Sequence, residues 1–130
     1  MTAAVIDTNI FVAAGFRPRS ASARLLQAVR DGEVRMVWND DTRRETERIV
    51  RKIPPLRWES FADLFREEDR CTAETHPQRF AFVPDPDDRK FAALAEACGA
   101  VLITSDAHLL RVRDRIAVPV LTPGELVDPD

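Results

Sequence analysis

The chain has 130 residues, 45% hydrophobic and 32% charged, with a formal charge of −3 from 19 Lys and Arg against 22 Asp and Glu. That length fits one compact domain over residues 1–130, and the composition is that of a soluble globular protein rather than a disordered or fibrous one. No apolar run approaches the ~20 residues of a membrane span, and Met1-Thr2 leads straight into Ala3-Ala4-Val5-Ile6 without the basic stretch of an export signal. The expectation is a cytoplasmic protein with no membrane partner. The acidic balance excludes a global basic field for nucleic acid, although 17 of the 19 bases are arginine, which grips phosphates bidentately. Cys71 and Cys98 lack the spacing of a zinc or redox motif and read as reduced, partly buried thiols.

Along the chain, Ala3 to Ile6 and Ile10 to Val12 are apolar around Asp7-Thr8-Asn9, the pattern of a buried strand ending near Asp7. Ser20 to Arg30 carries Ala21, Leu25, Leu26 and Val29 at helical spacing, with Ser20 as N-cap and Gly32 beyond the end. Arg35 to Trp38 reads as a second strand. Asn39-Asp40-Asp41 then caps a helix bearing Ile49, Val50 and Ile53, which Pro54-Pro55 stops. Trp58 to Cys71 repeats Phe61, Leu64 and Phe65 at helical spacing, and Arg79 to Val83 alternates as a third strand. Phe91, Leu94, Ala95 and Cys98 mark a helix ending at Gly99, followed by the strand Ala100 to Thr104. A short helix with Leu109 and Leu110 leads to an edge strand, Val118 to Leu121, and Val127 to Asp130 reads as a frayed tail. Trp38 and Trp58 are expected in the core.

Strands alternating with helices predict an α/β fold: a parallel sheet with helices on both faces and a ligand site beyond the carboxyl ends of the strands. Asp7 ends the first strand inside an apolar run, where a lone carboxylate is costly to desolvate, and has no obvious capping role. Asp106 holds the equivalent place after Val101 to Ser105, and Asp88 opens the helix of Phe91. Glu45 lies one turn before Ile49, at the edge of a buried stripe. Four carboxylates converging without a lysine or arginine in their motifs repel one another, and a hard divalent cation relieves this. Mg2+, with Mn2+ as a substitute, takes a few carboxylates plus water and phosphate oxygens. It lowers the pKa of bound water and stabilises an in-line phosphoryl displacement. The chemistry so implied is phosphodiester hydrolysis.

The segments Val5-Ile6-Asp7-Thr8-Asn9-Ile10-Phe11-Val12, Asp85-Pro86-Asp87-Asp88-Arg89-Lys90-Phe91-Ala92-Ala93-Leu94-Ala95 and Leu102-Ile103-Thr104-Ser105-Asp106, in this order with Glu45 between the first two, resemble the signature segments of PIN-domain nucleases. The likeness runs over nearly the whole chain and is nearest to toxin components of toxin-antitoxin systems related to VapC. Position by position, the family's four acids match Asp7, Glu45, Asp88 and Asp106, the catalytic and metal-holding set, while Asn9 and Thr104 match polar supports of the first and fourth acids. The resemblance implies a five-stranded parallel sheet in the order 3-2-1-4-5. It also implies a metal-dependent endoribonuclease acting on RNA, and a homodimer with a cognate antitoxin. Thr8, Ser105 and Asp85 match less well. His108 stands where relatives often carry another acid, and it is left outside the site.

Each feature has a plainer reading. Asp88 and Asp106 are also natural helix N-caps, and Glu45 has Glu47 nearby on a helix where glutamates are usually solvated. The basic groups Arg43, Arg44, Arg48, Arg51, Lys52 and Arg111, Arg113, Arg115 serve either as solvated faces or as phosphate contacts on either side of a cut. A haloacid-dehalogenase-type phosphotransferase wants an acid at position 9, where this chain has Asn9. A phospho-accepting receiver domain wants a lysine near its last strand, and the lysines are Lys52 and Lys90. The remaining alternative is a catalytically silent PIN module that binds RNA or a partner protein.

Overall fold

Side-chain alternation along the central strands divides the interior into two cores. A computed structural model describes residues 1–128 of the chain. In β1 (Thr2–Ile6), Ala4 and Ile6 enter one cluster with Ile10, Phe11, Leu25 and Val29, while Val5 enters another with Leu94, Leu102 and Val120. In β3 (Val101–Ile103), Leu102 and Ile103 divide the same way. The period of two is that of a strand covered on both faces. With β2 (Val34–Met36) and β4 (Val120–Leu121), the sheet is parallel throughout, in the order β2-β1-β3-β4. Ala4 stands opposite Met36 on one side and Val101 on the other, and Ile6 stands opposite Ile103. The strands bearing Asp7 and Asp106 are therefore neighbours, running in the same direction.

Local chemistry fixes the helix ends. Helix α2 (Ala21–Arg30) is capped by Ser20, whose hydroxyl accepts from the Ala23 amide at 3.1 Å. The capping box Asn39–Thr42 opens α3 (Asp40–Arg51), with Asp40 and Asp41 in the first turn and Arg48 and Arg51 in the last, as the helix dipole favours. Helix α4 (Arg89–Cys98) ends on Gly99, whose φ of +64° is a left-handed conformation that other residues resist. Trp38 and Trp58 are buried, as expected. The edge place of β4 also matches the proline that precedes it, and Pro119 gives the ladder its carbonyl, accepting from the Leu102 amide at 2.9 Å. Among the described residues, no helix is long and apolar enough to cross a membrane.

The structure corrects several expectations. Among the described residues the sheet has four strands, not five: residues 79–83 do not pair. Pro77–Phe80 forms a 3-10 turn whose Phe80, together with Val83, packs against α4, so an alternating pattern arose from burial in a turn. Beyond the end of β2, a single parallel bridge joins Trp38 to Arg70, with the Cys71 amide donating to the Trp38 carbonyl at 2.7 Å. Residues 58–71 form three short 3-10 turns (Trp58–Ser60, Ala62–Leu64, Glu67–Asp69) rather than one helix, and their aromatic residues wedge around Phe11. Helix α1 (Thr8–Phe16) was not read from the sequence: its residues are apolar on most sides, so no amphipathic stripe announced it. The C-terminal segment is ordered through α6 (Pro123–Val127), capped by Thr122 and Glu125, and Asp128 pairs with Arg24. The rest of the expected frayed tail, Pro129 and Asp130, lies outside the described residues. Cys71 and Cys98, 27 positions apart, are joined as a disulfide rather than free, because the chain leaving the bridge at Trp38 passes the end of α4. No spacing motif signals such a pair.

Candidate active site

The carboxyl ends of β1 and β3 open into a cavity of about 700 Å³ lined by Asp7, Glu45, Asp85, Asp87, Asp88 and Asp106, with Val12, Ala13, Phe16, Ile49 and Phe91 forming an apolar wall. All four acids singled out from the sequence reach it, from four different elements.

Asp7 is 3% exposed and serves as N-cap of α1, a role the sequence did not suggest. Its Oδ1 accepts from the Thr8 amide at 2.7 Å and its Oδ2 from the Thr104 hydroxyl at 2.8 Å. Burial outweighs these two bonds and the nearby charges of Asp106 and Asp85 add to it, so its carboxyl rises from the ordinary 3.8 to about 6. Thr104, fully buried, also accepts from the Asp106 amide at 3.0 Å, which ties the first and fourth acids together through one hydroxyl. Asp106 caps α5 (Ala107–Arg111), accepting from the His108 amide at 2.8 Å. For Asp106 the capping reading is thus correct, yet capping through one oxygen leaves its carboxylate on the cavity wall. Asn9 reaches the same strand end more loosely, its Oδ1 lying 3.5 Å from the Ser105 amide. His108 is exposed and does not line the cavity.

Asp88 sits at the head of α4 without making a side-chain cap, so there the capping alternative fails. Its Oδ2 is buried and has no hydrogen-bond partner among the described residues. Burial, followed by a hydrogen bond with Asp106 and the charge of Asp7, pushes its carboxyl well above the usual range. Ionised, Asp88 keeps an orphaned buried oxygen, the kind of group that calls for a cation or a proton.

Glu45, on α3, is 8% exposed and does not sit on a solvated face. Its anchoring corrects the sequence reading of an acid cluster without local bases: Arg48 donates to both its oxygens at 3.0 and 2.8 Å, and Lys90 lies 3.3 Å from Oε1. Arg48, three positions after Glu45 on the same helix, is the sequence signal of that pairing. A hydroxyl pair, Thr8 with Thr46 at 2.9 Å, locks the start of α1 to α3 and thereby brings Glu45 to the cavity; the role of Thr46 was not read from the sequence. Among the described residues, no three potential ligands are already drawn together in metal-binding geometry. Asp7 and Glu45 are instead engaged by hydroxyl, amide, guanidinium and ammonium donors. The donor set consists of hard carboxylate oxygens, the type that suits Mg2+ or Mn2+. Together with the orphaned Asp88 oxygen, it fits such an ion.

No curated protein matches the chain at a significant level. Among solved structures it is similar to a chain in the crystal structure of VapBC2 from Rickettsia felis bound to a DNA fragment from their promoter, with a TM-score of 0.59 at 16% identity, covering 93% of this chain and 98% of that one. That likeness is one of fold. The family model described as "PIN domain" matches residues 3–108, which include all of β1 but its first residue, α3, the head of α4 and the end of β3, and with them every acid at the cavity. The chain belongs to the PIN-domain family.

Proposed function

We propose that the protein is a metal-dependent endoribonuclease that hydrolyses RNA phosphodiester bonds, and that Asp7, Glu45, Asp88 and Asp106 hold Mg2+, with Mn2+ able to substitute. One observation carries the reading: four elements deliver carboxylates to a single cavity at the carboxyl edge of a parallel sheet, where the buried Asp88 Oδ2 lacks a partner. A bound ion would supply an acidified water and charge stabilisation for an in-line displacement. The protein's own part is positional. Thr104 and the Thr8 amide hold both oxygens of Asp7, Thr104 fixes the backbone at Asp106, and Arg48 and Lys90 set the rotamer of Glu45. The apolar wall of Val12, Ala13, Ile49 and Phe91 lowers the local dielectric around these charges.

The same proposal makes the protein the toxin of a toxin-antitoxin pair, with a cognate antitoxin, a homodimeric state and a cytoplasmic site of action. The fold shared with the VapBC2 structure supports the pairing. The ion-paired state of Glu45 and the absence of pre-grouped ligands among the described residues favour the alternative of a silent RNA- or protein-binding module. One assay decides between them. Mixed RNA should be cut in Mg2+ or Mn2+ and not in chelator, and Asp7→Asn or Asp106→Asn should lower the rate at least about 100-fold. Equal cleavage by both variants would refute the assignment, whereas RNA binding without any cleavage would establish the silent module.

A further inference from the structure

We propose that Phe16 and Arg17, at the end of α1, form a nucleotide subsite flanking the candidate active site. The Phe16 ring takes the face of an unpaired base, and the Arg17 guanidinium takes a phosphate of the same strand. The inference rests on the nuclease reading above and adds to it where the strand lies.

Three observations point to this pair. Phe16 is 50% exposed and is the only exposed aromatic among the described residues; the others are packed in the two cores or half-buried against them. Leaving a phenylalanine ring in water forfeits its burial, and no fold requirement is visible for it here. Second, the ring does not stand apart from the acids. Asn9, Val12, Ala13 and Phe16 follow one another at i, i+3, i+4 and i+7 and line the cavity. The wall of α1 thus runs without a break from the acids to the ring, which lies roughly 14 Å along the helix from Asp7 at 1.5 Å per residue. Third, Arg17 is the only basic residue among those lining the cavity. Its amide closes α1 on the Ala13 carbonyl, and its carbonyl accepts from the Ser20 hydroxyl. Its guanidinium has no hydrogen-bond or ion-pair partner among the described residues.

A polyanion entering this cavity meets six carboxylates, an apolar wall and a single basic side chain. That side chain is Arg17, and beside it is the only exposed aromatic face among the described residues. An aromatic surface next to one cation matches the two parts of a nucleotide, base face and phosphate, and every base presents a π face whatever its sequence. The ring is reachable only by a base whose face is open, so the subsite selects unpaired nucleotides over a stacked duplex. An apolar protein side chain seated on the same wall would use the ring and leave the guanidinium unpaired.

The test combines binding and kinetics of the full chain on a labelled single-stranded RNA and on the same strand annealed to its complement. Affinity is read by anisotropy with Ca2+ in place of Mg2+, and KM and kcat are measured in Mg2+. Phe16→Ala should weaken single-strand binding and raise KM by roughly 5- to 150-fold, the range for one stacked base, with little change in kcat, and Phe16→Trp should restore both. An abasic nucleotide moved along the strand should cost the wild type affinity at one position beside the cut and cost Phe16→Ala nothing there. Arg17→Ala should flatten the dependence of log affinity on log salt by about one phosphate contact. If the wild type cleaves and Phe16→Ala keeps the same Kd and KM, the subsite is overturned while the nuclease reading stands. If Phe16→Ala changes only the size of the particle on gel filtration, the ring belongs to a protein interface and the subsite is overturned. A wild type that neither binds nor cuts RNA removes both proposals.

Discussion

Neutralising Asp7 should stabilise the metal-free protein. Its carboxyl is 3% exposed and raised from 3.8 to about 6, chiefly by burial. At neutral pH the folded chain therefore carries a charge that it holds less well than the unfolded chain does, by roughly 3 kcal/mol. The sign follows from proton counts. Between pH 3.8 and about 6 the folded state binds more protons than the unfolded state, so stability falls as pH rises through that window and the penalty is complete above it. Acidification to about pH 4.5 should recover about 2 kcal/mol of it. Asp7→Asn removes the charge and keeps the cap, because an asparagine oxygen accepts from the Thr8 amide as well as aspartate does. Repairing the bond to Thr104 requires that hydroxyl to reverse its role. For a domain of this size the variant should melt up to roughly 10 °C above wild type at about pH 7.5 in chelator. The difference should shrink by about two-thirds at about pH 4.5. Comparing the two proteins at each pH cancels the titration of carboxylates that do not sense Asp7; Asp88, which the Asp7 charge pushes up, should titrate lower in the variant. If Asp7→Asn melts below wild type in chelator at the higher pH, with a difference that does not change on acidification, then the site stabilises the charge and the desolvation argument is wrong.

Magnesium at about ten times its dissociation constant should add about 1.4 kcal/mol to the wild type, a rise of roughly 3–6 °C, and much less to Asp7→Asn; equal shifts in paired melts would place the ion elsewhere. Thr104→Val preserves shape but strips a donor from Asp7 and an acceptor from the Asp106 amide, so denaturant melts should show a loss of about 2–4 kcal/mol. A loss under about 1 kcal/mol would mean that water replaces the hydroxyl. Closing a loop between residues 27 apart predicts that reduction, or Cys71→Ser with Cys98→Ser, removes about 3–4 kcal/mol. Thiol titration of the unfolded, unreduced chain should find none free, and two titratable thiols would contradict the pairing. In a reducing cytosol that bond would be open, so the same titration on protein isolated from cells bears directly on the cytoplasmic expectation.

The sequence by itself determined those features whose cause is local. Ser20, Asn39 and Gly99 mark helix ends because each satisfies backbone groups or adopts a conformation that its neighbours in sequence need. Asp7 and Asp106 were legible at strand ends because an apolar run that stops at a carboxylate must bring that charge out at a site or strand it in the interior at high cost. The parallel arrangement followed from the alternation of elements, and four acids at one sheet edge could be read from their order along the chain. Features that depended on a partner distant in sequence were decided by the tertiary structure. Arg79 to Val83 alternates like a strand, but its apolar residues Phe80 and Val83 bury against α4 from a turn. Helix α1 is apolar on most sides, and a helix without a polar face carries no stripe to read. The bond between Cys71 and Cys98, the bridging of two acids by Thr104 and the holding of Glu45 by Arg48 and Lys90 all require knowing which atoms meet. Periodicity and capping are encoded within a few residues, whereas the charge and hydrogen-bond state of a buried carboxylate depends on neighbours as far away as Thr104 is from Asp7, 97 positions along the chain.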